Sequence, residues 1–545
     1  MKILILGGYG TFGGRLAQSL ADLDCLHLVI AGRSEAKAKA FCAAFEGRAA
    51  VTALQLERDQ GARLAGLALD LVVDASGPFQ TYGDEPYGFI RAAIAAGVPY
   101  LDLADGADFV RGIASLDTAA RAAGVFALSG VSSFPVLTAA VVRALAPEGG
   151  VTKVTAGIAP SPFAGVGLNV MRAVVGYAGE PVKLWRCGKA AEAPGLAESL
   201  RYTVAPPGRL PLRSTRFSLV EVPELQLLPD ELPDLQDIWV GAGPVPEVLH
   251  VALNGLAKMR ARHALPNLAP ASAFFYWVLN RMRFGEHRGG MFVEVEVGDE
   301  QRSWHMLAEG DDGPIIPVMA VEVLVRKMLS GDQPEPGARA ATRALELADY
   351  DDAFAGRKIF QGRRRVEHGP LYRRVLGLAF EDLPAAVRDL HDVSTERRWQ
   401  GRAQVRRARG LLARVFGWTL GLPPAAEDVP VDLTFTPFEG GERWERRFGD
   451  HALRSVQREG RGRSVHLIDE SFGPVTVSLA LVRDGDKLLV IPRRCRVLGI
   501  PVPGFLLPGG DTYETGEGAR FRFHVEFVVP VIGWIATYEG WLEAE

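Results

Sequence analysis

The sequence is poor in cysteine and has no cluster of metal-binding residues. Its 545 residues include four cysteines, which are too far apart to form a CxxC motif or a group with histidine. This spacing indicates neither a disulfide scaffold nor a zinc site, and it favours a reducing compartment. The histidines lack paired spacing as well, so we expect no metal site.

Long apolar runs are also missing. The most apolar windows, residues 274–279 and 527–538, are shorter than the roughly 18 residues that a membrane-spanning helix needs. The apolar stretch at the N-terminus is too short for a signal peptide. We therefore expect a cytoplasmic protein without a transmembrane segment. Peripheral contact with a membrane and oligomerisation stay open.

The chain has little net charge and little lysine. A net charge of −4 excludes a dedicated nucleic-acid binder. Only 10 of the 61 basic residues are lysine, and the arginines are unevenly spread, with 13 against 6 acidic residues in 361–414. This segment can meet an acidic lipid, an acyl-carrier partner or only water. The length and the 48% of hydrophobic residues are typical of several globular domains.

A glycine motif stands at the start of the chain. Residues 2–6 form an apolar run typical of a buried strand, and residues 15–23 show helical spacing. Between them, residues 8–13 fit G-x-G-x-x-G, which in this context predicts a dinucleotide-binding loop. We expect Gly8 to allow the tight turn, Gly10 to allow a pyrophosphate to approach the backbone, and Gly13 to allow the helix to pack against the strand. The residues expected to bind the cofactor here are Gly8, Gly10, Thr11, Phe12 and Gly13.

The end of the second predicted strand, residues 26–31, indicates which cofactor binds. A site that prefers NAD has an acidic residue about 20 positions after the glycines. This chain has Arg33 and Ser34 there. A guanidinium pairs with a 2′-phosphate, which a carboxylate would repel. We therefore favour NADP(H) over NAD(H).

Further strands are predicted at 51–56, 68–75, 98–103 and 125–129, with helical segments between them. This alternation predicts an α/β fold with a doubly wound parallel sheet of the Rossmann type. Loops at the carboxyl ends of its strands line the ligand crevice. The loop after the fourth strand adds Ser76, Gly77, Pro78 and Phe79 to the expected cofactor site.

The catalytic residues are not identified by the sequence. Hydride transfer needs a group that handles one proton. The weak candidates are Tyr82 and Asp102, and further polar residues just beyond strand ends are Asp105, Ser132 and Ser133. Each of them has an alternative role in packing or in capping a turn.

The segments GGYGTFGG, AGRS, ASGPFQTYG, GVPYLDLADG and SGVSSFPVL resemble the saccharopine-dehydrogenase-like oxidoreductases. The resemblance is closest to the branch that contains trans-acting enoyl reductases, and it covers about residues 1–345. It implies an NADP-linked oxidoreductase with a Rossmann domain and an inserted substrate domain. The substrate is not implied.

The remaining sequence predicts two further domains. Residues 291–297 and 301–307 predict an antiparallel hairpin, which indicates an α+β substrate domain over 136–350 with a return helix near 314–329. We place a linker at 361–370. Several alternating segments after residue 431 predict a mainly antiparallel β domain, a curved sheet or partial barrel, over 366–545.

This C-terminal region resembles a bacterial domain family of unknown function through segments such as LYRRVLGLAF, GWTLGLPP and FRFHVEFVVPVIG. Its concave face could hold a hydrophobic ligand, or the domain could be a structural or oligomerisation module. We assign 1–135 to the NADP-binding domain.

The expected function is an NADP(H)-dependent oxidoreductase. We expect it to reduce a C=C or C=N bond in a hydrophobic or carrier-linked small molecule. The alternatives are a non-catalytic NADP-binding sensor or scaffold and a membrane-associated lipid enoyl reductase. No nucleic-acid partner is expected.

Overall fold

A computed structural model describes residues 1–77, 79, 83, 85–165, 171, 175–243, 247–263, 265, 266, 268–281, 285–419 and 421–545. The chain divides into two compact units, one of residues 1–200 with 215–360 and one of residues 201–214 with 361–545. Two predicted site residues, Pro78 and Tyr82, lie outside the described residues. The predicted boundaries 1–135, 136–350 and 366–545 stay predictions.

The first unit contains a parallel sheet of seven strands. Its strands are β1 (Lys2–Leu6), β2 (His27–Gly32), β3 (Ala50–Gln55), β4 (Leu71–Asp74), β5 (Tyr100–Asp102), β6 (Phe126–Ser129) and, much later in the chain, β15 (Gly337–Ala340). They lie in the order β15-β6-β5-β4-β1-β2-β3. This confirms the predicted doubly wound sheet and its six strands, and β15 adds a seventh that was not predicted.

Helices cover both faces of this sheet because alternate side chains of its strands point to opposite sides. Ile3 and Ile5 belong to one core cluster and Leu4 and Leu6 to another. Among the described residues, the helices of the first unit include α1 (Thr11–Ser19), α2 (Glu35–Ala43), α3 (Gly88–Ala95), α4 (Ala107–Gly112), α5 (Asp117–Ala122), α6 (Thr138–Leu145), α7 (Glu224–Glu231), α8 (Glu247–Ala261), α9 (Ser272–Arg281), α10 (Ile316–Leu329) and α11 (Asp351–Ala355).

A second, mixed sheet has the order β10-β11-β12-β7-β13-β14-β16. Its strands are β7 (Val151–Ala159), β10 (Ser199–Tyr202), β11 (Thr215–Leu219), β12 (Asp237–Ala242), β13 (Arg288–Val297), β14 (Glu300–Glu309) and β16 (Ile359–Arg365), and a separate hairpin consists of β8 (Pro181–Arg186) and β9 (Lys189–Pro194). Together with the surrounding helices this confirms the α+β fold. The linker predicted at 361–370 is wrong in its first half, because β16 runs through residue 365.

The second unit is mainly antiparallel, as predicted, and its sheet is closed. Ten strands lie in the order β22-β21-β20-β19-β18-β17-β27-β26-β25-β23. The first and last of them, β22 and β23, also pair with each other, which closes the sheet into a cylinder. The short strand β24 pairs with β23. The strands are β17 (Arg397–Arg407), β18 (Ala426–Phe438), β19 (Gly441–Phe448), β20 (His451–Glu459), β21 (Ile468–Phe472), β22 (Val475–Asp484), β23 (Lys487–Val497), β24 (Ile500–Pro501), β25 (Thr512–Glu517), β26 (Arg520–Val529) and β27 (Gly533–Ala544).

Three helices accompany this closed sheet: α12 (Leu371–Leu376), α13 (Ala385–His391) and α14 (Leu411–Thr419). The apolar faces of α12 and α13 join the core of the sheet. His391 Nε2 lies 2.6 Å from Glu514 Oε2, and its ring stacks on Tyr372 with a centroid separation of 3.6 Å. These contacts fix α12 and α13 against the strands.

Candidate functional site

The glycine loop lies at the point where the strand order of the parallel sheet reverses. β1 pairs with β2 on one side and with β4 on the other, so the crevice opens at the carboxyl end of β1. The chain leaves β1 through Gly7, which has a φ of +78°, and enters α1 with Gly10 as its N-cap. The N-terminus of α1 therefore lies at the crevice, where its N–H groups favour an anion.

Two of the predicted glycines are required by close packing. A Cβ on Gly8 would lie 2.8 Å from the Ile5 carbonyl oxygen. A Cβ on Gly13 would lie 2.8 Å from the Gly8 Cα and closer still to the Gly7 carbonyl oxygen. The left-handed conformation falls on Gly7, one residue before the motif, so the turn itself depends on a glycine outside it.

Gly13→Ala tests this packing. Because backbone atoms surround the added methyl group, we expect the free energy of unfolding to fall by about 1–3 kcal/mol. Displacement of α1 should also weaken NADPH binding about tenfold. Urea denaturation and calorimetric titration measure the two effects. Gly88→Ala is the control, since a Cβ there would meet no atom within 4 Å. Equal behaviour of the two variants would contradict the packing role.

Arg33 and Ser34 follow β2 and stand beside the glycine loop. The Ser34 N–H donates to the Tyr9 hydroxyl over 2.9 Å, which ties the loop after β2 to the loop after β1. The Ser34 hydroxyl caps α2 by accepting from Lys37 N. The Arg33 side chain is exposed, and no ion pair holds it among the described residues. Its guanidinium is therefore available to a ligand phosphate beside the glycine loop.

The other predicted residues of the loop differ in position. Thr11 is exposed in the first turn of α1, whereas Phe12 packs against the core. Phe79 is 5% exposed and its ring centroid lies 5.3 Å from that of Phe109. Both phenylalanines therefore have a packing role, whereas Thr11 is the exposed side chain of the three.

The loop after β4 is held by Asp74, a residue that the sequence analysis did not single out. Its Oδ1 accepts from Ser76 N over 2.9 Å and from the Ser76 hydroxyl over 2.6 Å. Its Oδ2 accepts from Arg58 and from the Tyr100 hydroxyl. Asp74 is fully buried, so these donors replace water and fix Ser76 and Gly77 beside the glycine loop.

Asp102 is fully buried at the carboxyl end of β5. Its Oδ1 accepts from Ala104 N over 3.0 Å, from Gly130 N over 2.8 Å and from the Ser129 hydroxyl over 2.9 Å. Its Oδ2 has no hydrogen-bond partner among the described residues. Burial raises the pKa of Asp102 to about 7. The geometry makes Asp102 a link between the loops after β5 and β6, and its enclosure keeps it from direct contact with a substrate.

The two serines after β6 also have structural contacts. The Ser132 hydroxyl donates to the Pro317 carbonyl over 2.9 Å, which joins this loop to α10. Ser133 is buried, and its carbonyl accepts from the Thr138 hydroxyl over 3.4 Å. The contact of the Ser132 hydroxyl involves neither an acid nor a base.

A phenol and two carboxyl groups interact electrostatically beside the loop after β5, and the sequence analysis identified only one of them. Asp105 lies on that loop and is exposed. Burial raises the pKa of Tyr177, and the charges of Asp105 and Glu221 raise it further. Burial also raises the pKa of Glu221, with smaller contributions from Asp108 and Asp105. Tyr177 and Glu221 had no signal in the sequence, because only the fold brings them to Asp105.

Comparison with known proteins supports the assignment of both ends of the chain. Residues 3–128 match the family described as saccharopine dehydrogenase NADP binding domain. Residues 383–542 match a domain of unknown function, DUF4166. No curated protein matches the chain.

Solved structures match over much of the chain at low similarity. An amine dehydrogenase from Mycobacterium smegmatis is 12% identical with a TM-score of 0.32, and the match covers 64% of this chain and 95% of that one. A Gfo/Idh/MocA family oxidoreductase from Vibrio cholerae is 10% identical with a TM-score of 0.29, and covers 61% and 91%. These TM-scores are too low to establish a common fold.

The two family matches confirm the resemblances inferred from the sequence, and they confirm NADP(H) as the expected cofactor. The individual site residues stay predictions. The chain thus carries a saccharopine dehydrogenase NADP binding domain at its N-terminus and a DUF4166 domain at its C-terminus.

Proposed function

We propose that the protein is an NADP(H)-dependent oxidoreductase that reduces a C=C or C=N bond of a hydrophobic or carrier-linked small molecule. The observation that carries the proposal is the combination of the glycine loop with Arg33 at the strand-order reversal of an NADP-binding domain. The nature of the substrate is supported only by the resemblance to the enoyl reductase branch.

The residues present fit NADP(H). Gly10 is exposed at the N-cap of α1 and has no side chain, so the loop keeps its backbone accessible to a pyrophosphate. The exposed Arg33 and the nearby Ser34 would hold the 2′-phosphate. When bound, NADPH supplies the hydride. The protein must then position the substrate and deliver one proton.

Tyr177 and Glu221 are the proposed source of that proton. Burial raises the pKa of Glu221, so this carboxyl holds its proton at a higher pH than an ordinary glutamate. The Tyr177 phenol also has a raised pKa, which makes it the weaker acid of the two. Asp105 comes from the carboxyl end of β5, where the crevice of a doubly wound sheet lies, and its charge acts on both groups. We assign proton delivery to this pair in place of Tyr82 and Asp102.

Tyr177→Phe tests the assignment. We expect kcat to fall about tenfold and the pH profile to change shape, since Glu221 would act alone. NADPH binding should be unchanged. Tyr350→Phe is the matched control, because Tyr350 is a buried tyrosine of the same unit whose hydroxyl has no hydrogen-bond partner among the described residues. A similar loss in both variants would contradict the role of Tyr177.

The experiment that tests the whole proposal is consumption of NADPH with a panel of enoyl, imine and keto substrates. Turnover of an enoyl or imine compound supports the proposal. Tight NADPH binding without turnover of any substrate would instead indicate a sensor or scaffold. Turnover of the keto compounds alone would overturn the proposed bond type and leave the oxidoreductase class intact.

A further inference from the structure

The exposed apolar side chains of the second unit are concentrated at one end of the closed sheet. The register places Trp399, Phe435, Trp444, Phe521 and Leu542 at the end that α12 and α13 cover. Neighbouring strands run in opposite directions, so the connections between them alternate between the two ends of the closed sheet. The opposite end therefore carries the connections at the other ends of the same strands. They are α14 and the turns at 449–450, 473–474, 498–499 and 530–532.

α14 presents an apolar face to solvent. Leu411 is 75% exposed, Leu412 69%, Val415 53% and Trp418 81%. The opposite face of the helix is buried through Ala413, which packs in a small cluster with Val529, Ile535 and Ala536. The exposed face of the helix is therefore the more apolar one, because its larger apolar residues point away from the protein.

The position of α14 is fixed by contacts after its C-terminus. The Arg407 guanidinium donates to the carbonyls of Leu422 and Pro423 over 3.0 and 2.9 Å. His451 Nε2 lies 2.8 Å from the Gly421 carbonyl oxygen. These contacts hold the returning chain against β17 and β20, so the apolar face is presented by a helix that is anchored at both sides.

Other apolar residues extend this surface along the same end. Val531 is 95% exposed on the turn between β26 and β27, next to Ile532, which packs against the cluster around Ala413. Leu498 is 78%, Ile500 70% and Phe505 77% exposed beyond the end of β23. We call α14 with these four residues the apolar end. Such a concentration marks an interaction site on most proteins.

The charges on and beside α14 are positive. Residues 406–426 contain four arginines and no acidic residue, and one of the four, Arg406, pairs with Glu539. Arg409 and Arg414 are exposed, and neither forms an ion pair among the described residues. Acidic residues do occur at the same end, at Glu427, Asp428, Asp450 and Asp511, but none lies on the helix, and Asp428 pairs with Arg402.

We propose that the apolar end docks on the surface of a membrane that contains anionic lipid, with α14 lying in the interface. A helix that exposes Leu, Val and Trp on one face and carries arginines beside that face has the pattern of an interfacial helix. The arginines would attract the negative surface, and the apolar residues would enter the boundary between headgroups and chains. Docking of this kind needs no spanning helix, and none of the described helices is long and apolar enough to span.

The test is sedimentation of the full chain with vesicles. We expect binding to vesicles of phosphatidylcholine with phosphatidylglycerol, weaker binding to phosphatidylcholine alone, and loss of the difference at high salt. The double variant Leu412→Ser with Trp418→Ser should bind at least about tenfold more weakly. Arg409→Glu with Arg414→Glu should abolish the preference for anionic lipid. Leu378→Ser is the control, since Leu378 is 57% exposed and follows α12 at the other end.

Two results would overturn the proposal. The first is equal vesicle binding by the wild type and both double variants, or no binding by the wild type. The second is self-association that light scattering detects in the wild type and that Leu412→Ser with Trp418→Ser removes, since the apolar end would then be an interface between copies. NADPH binding in solution should be normal in every variant, which separates this test from that of the proposed function.

Discussion

Arg33→Asp is expected to weaken NADPH binding about a hundredfold and to leave NADH binding nearly unchanged. The guanidinium would form charge-assisted hydrogen bonds to the 2′-phosphate, each worth about 1.5–3 kcal/mol. The introduced carboxylate would also repel the phosphate. A loss of about 2.8 kcal/mol corresponds to a hundredfold change in Kd. Calorimetric titration with both cofactors gives the ratio of the two Kd values directly.

Arg48→Asp is the matched control for this charge change. Arg48 is exposed just before β3, at the amino end of the same parallel sheet. The crevice lies at the carboxyl ends, so Arg48→Asp should change NADPH binding less than about twofold. If the two variants lose NADPH affinity equally, long-range charge and not contact explains the effect. An unchanged NADPH-to-NADH ratio in Arg33→Asp would show that Arg33 does not read the 2′-phosphate.

The parts of the fold that the sequence predicted correctly are those with a local signal. β1 and the glycine loop combine an apolar run, fixed glycine spacing and a helical period within 23 residues. Each of the six predicted strands of the parallel sheet has its own run of apolar residues. β15 was missed because its residues, GARA, carry no such run. It forms only because β6, about 200 residues earlier, offers a parallel edge.

Contacts between distant segments account for the other differences. The segment 201–214 belongs with the second unit, where its Ala205 carbonyl accepts from Arg364 and its Gly208 carbonyl accepts from Arg483 N. Nothing in its own sequence indicates these partners. The closure of the antiparallel sheet was not predicted for the same reason. Alternation of apolar and polar residues predicts a strand, but it does not indicate which strands pair.

The residues of the candidate site also divide into those with a local sequence signal and those that only distant contacts bring together. Gly8, Gly13 and Arg33 were identified because motif and position define them. Asp74 could have drawn attention as a carboxylate at the end of an apolar strand, yet its partner Arg58 lies 16 residues away. Tyr177 and Glu221 come from distant segments of the chain, and the charge of Asp105 acts on them only in the folded protein. Sequence patterns therefore located the cofactor loop, and the fold was needed to suggest a proton donor.

Asp102→Asn is expected to flatten the dependence of stability on pH. In the folded protein the pKa of Asp102 is about 7, against an ordinary value of 3.8. Below the ordinary value both states are protonated, and the full stability is present. As the pH rises, the unfolded chain releases the proton first, so the free energy of unfolding falls until the folded protein ionises as well. The total fall over this window is about 4 kcal/mol.

An asparagine at position 102 does not ionise, so this fall should disappear from the variant. The amide oxygen can still accept from Gly130, Ala104 and Ser129. The amide nitrogen carries two N–H groups where the protonated Asp102 Oδ2 carries one O–H, so one more donor is buried at an atom that has no partner among the described residues. That donor costs about 1–3 kcal/mol. The variant should thus be less stable than the wild type near pH 4, and it should equal or exceed the wild type above about pH 7.

Urea denaturation of both proteins over this pH range provides the comparison, because other titrating groups are shared and cancel in the difference. Asp24→Asn, at an exposed aspartate before β2, is the control and should run parallel to the wild type. Parallel curves for Asp102→Asn would mean that Asp102 stays ionised in the folded protein. The three donors to its Oδ1 would then stabilise the charge fully, in spite of its burial between the loops that form the crevice.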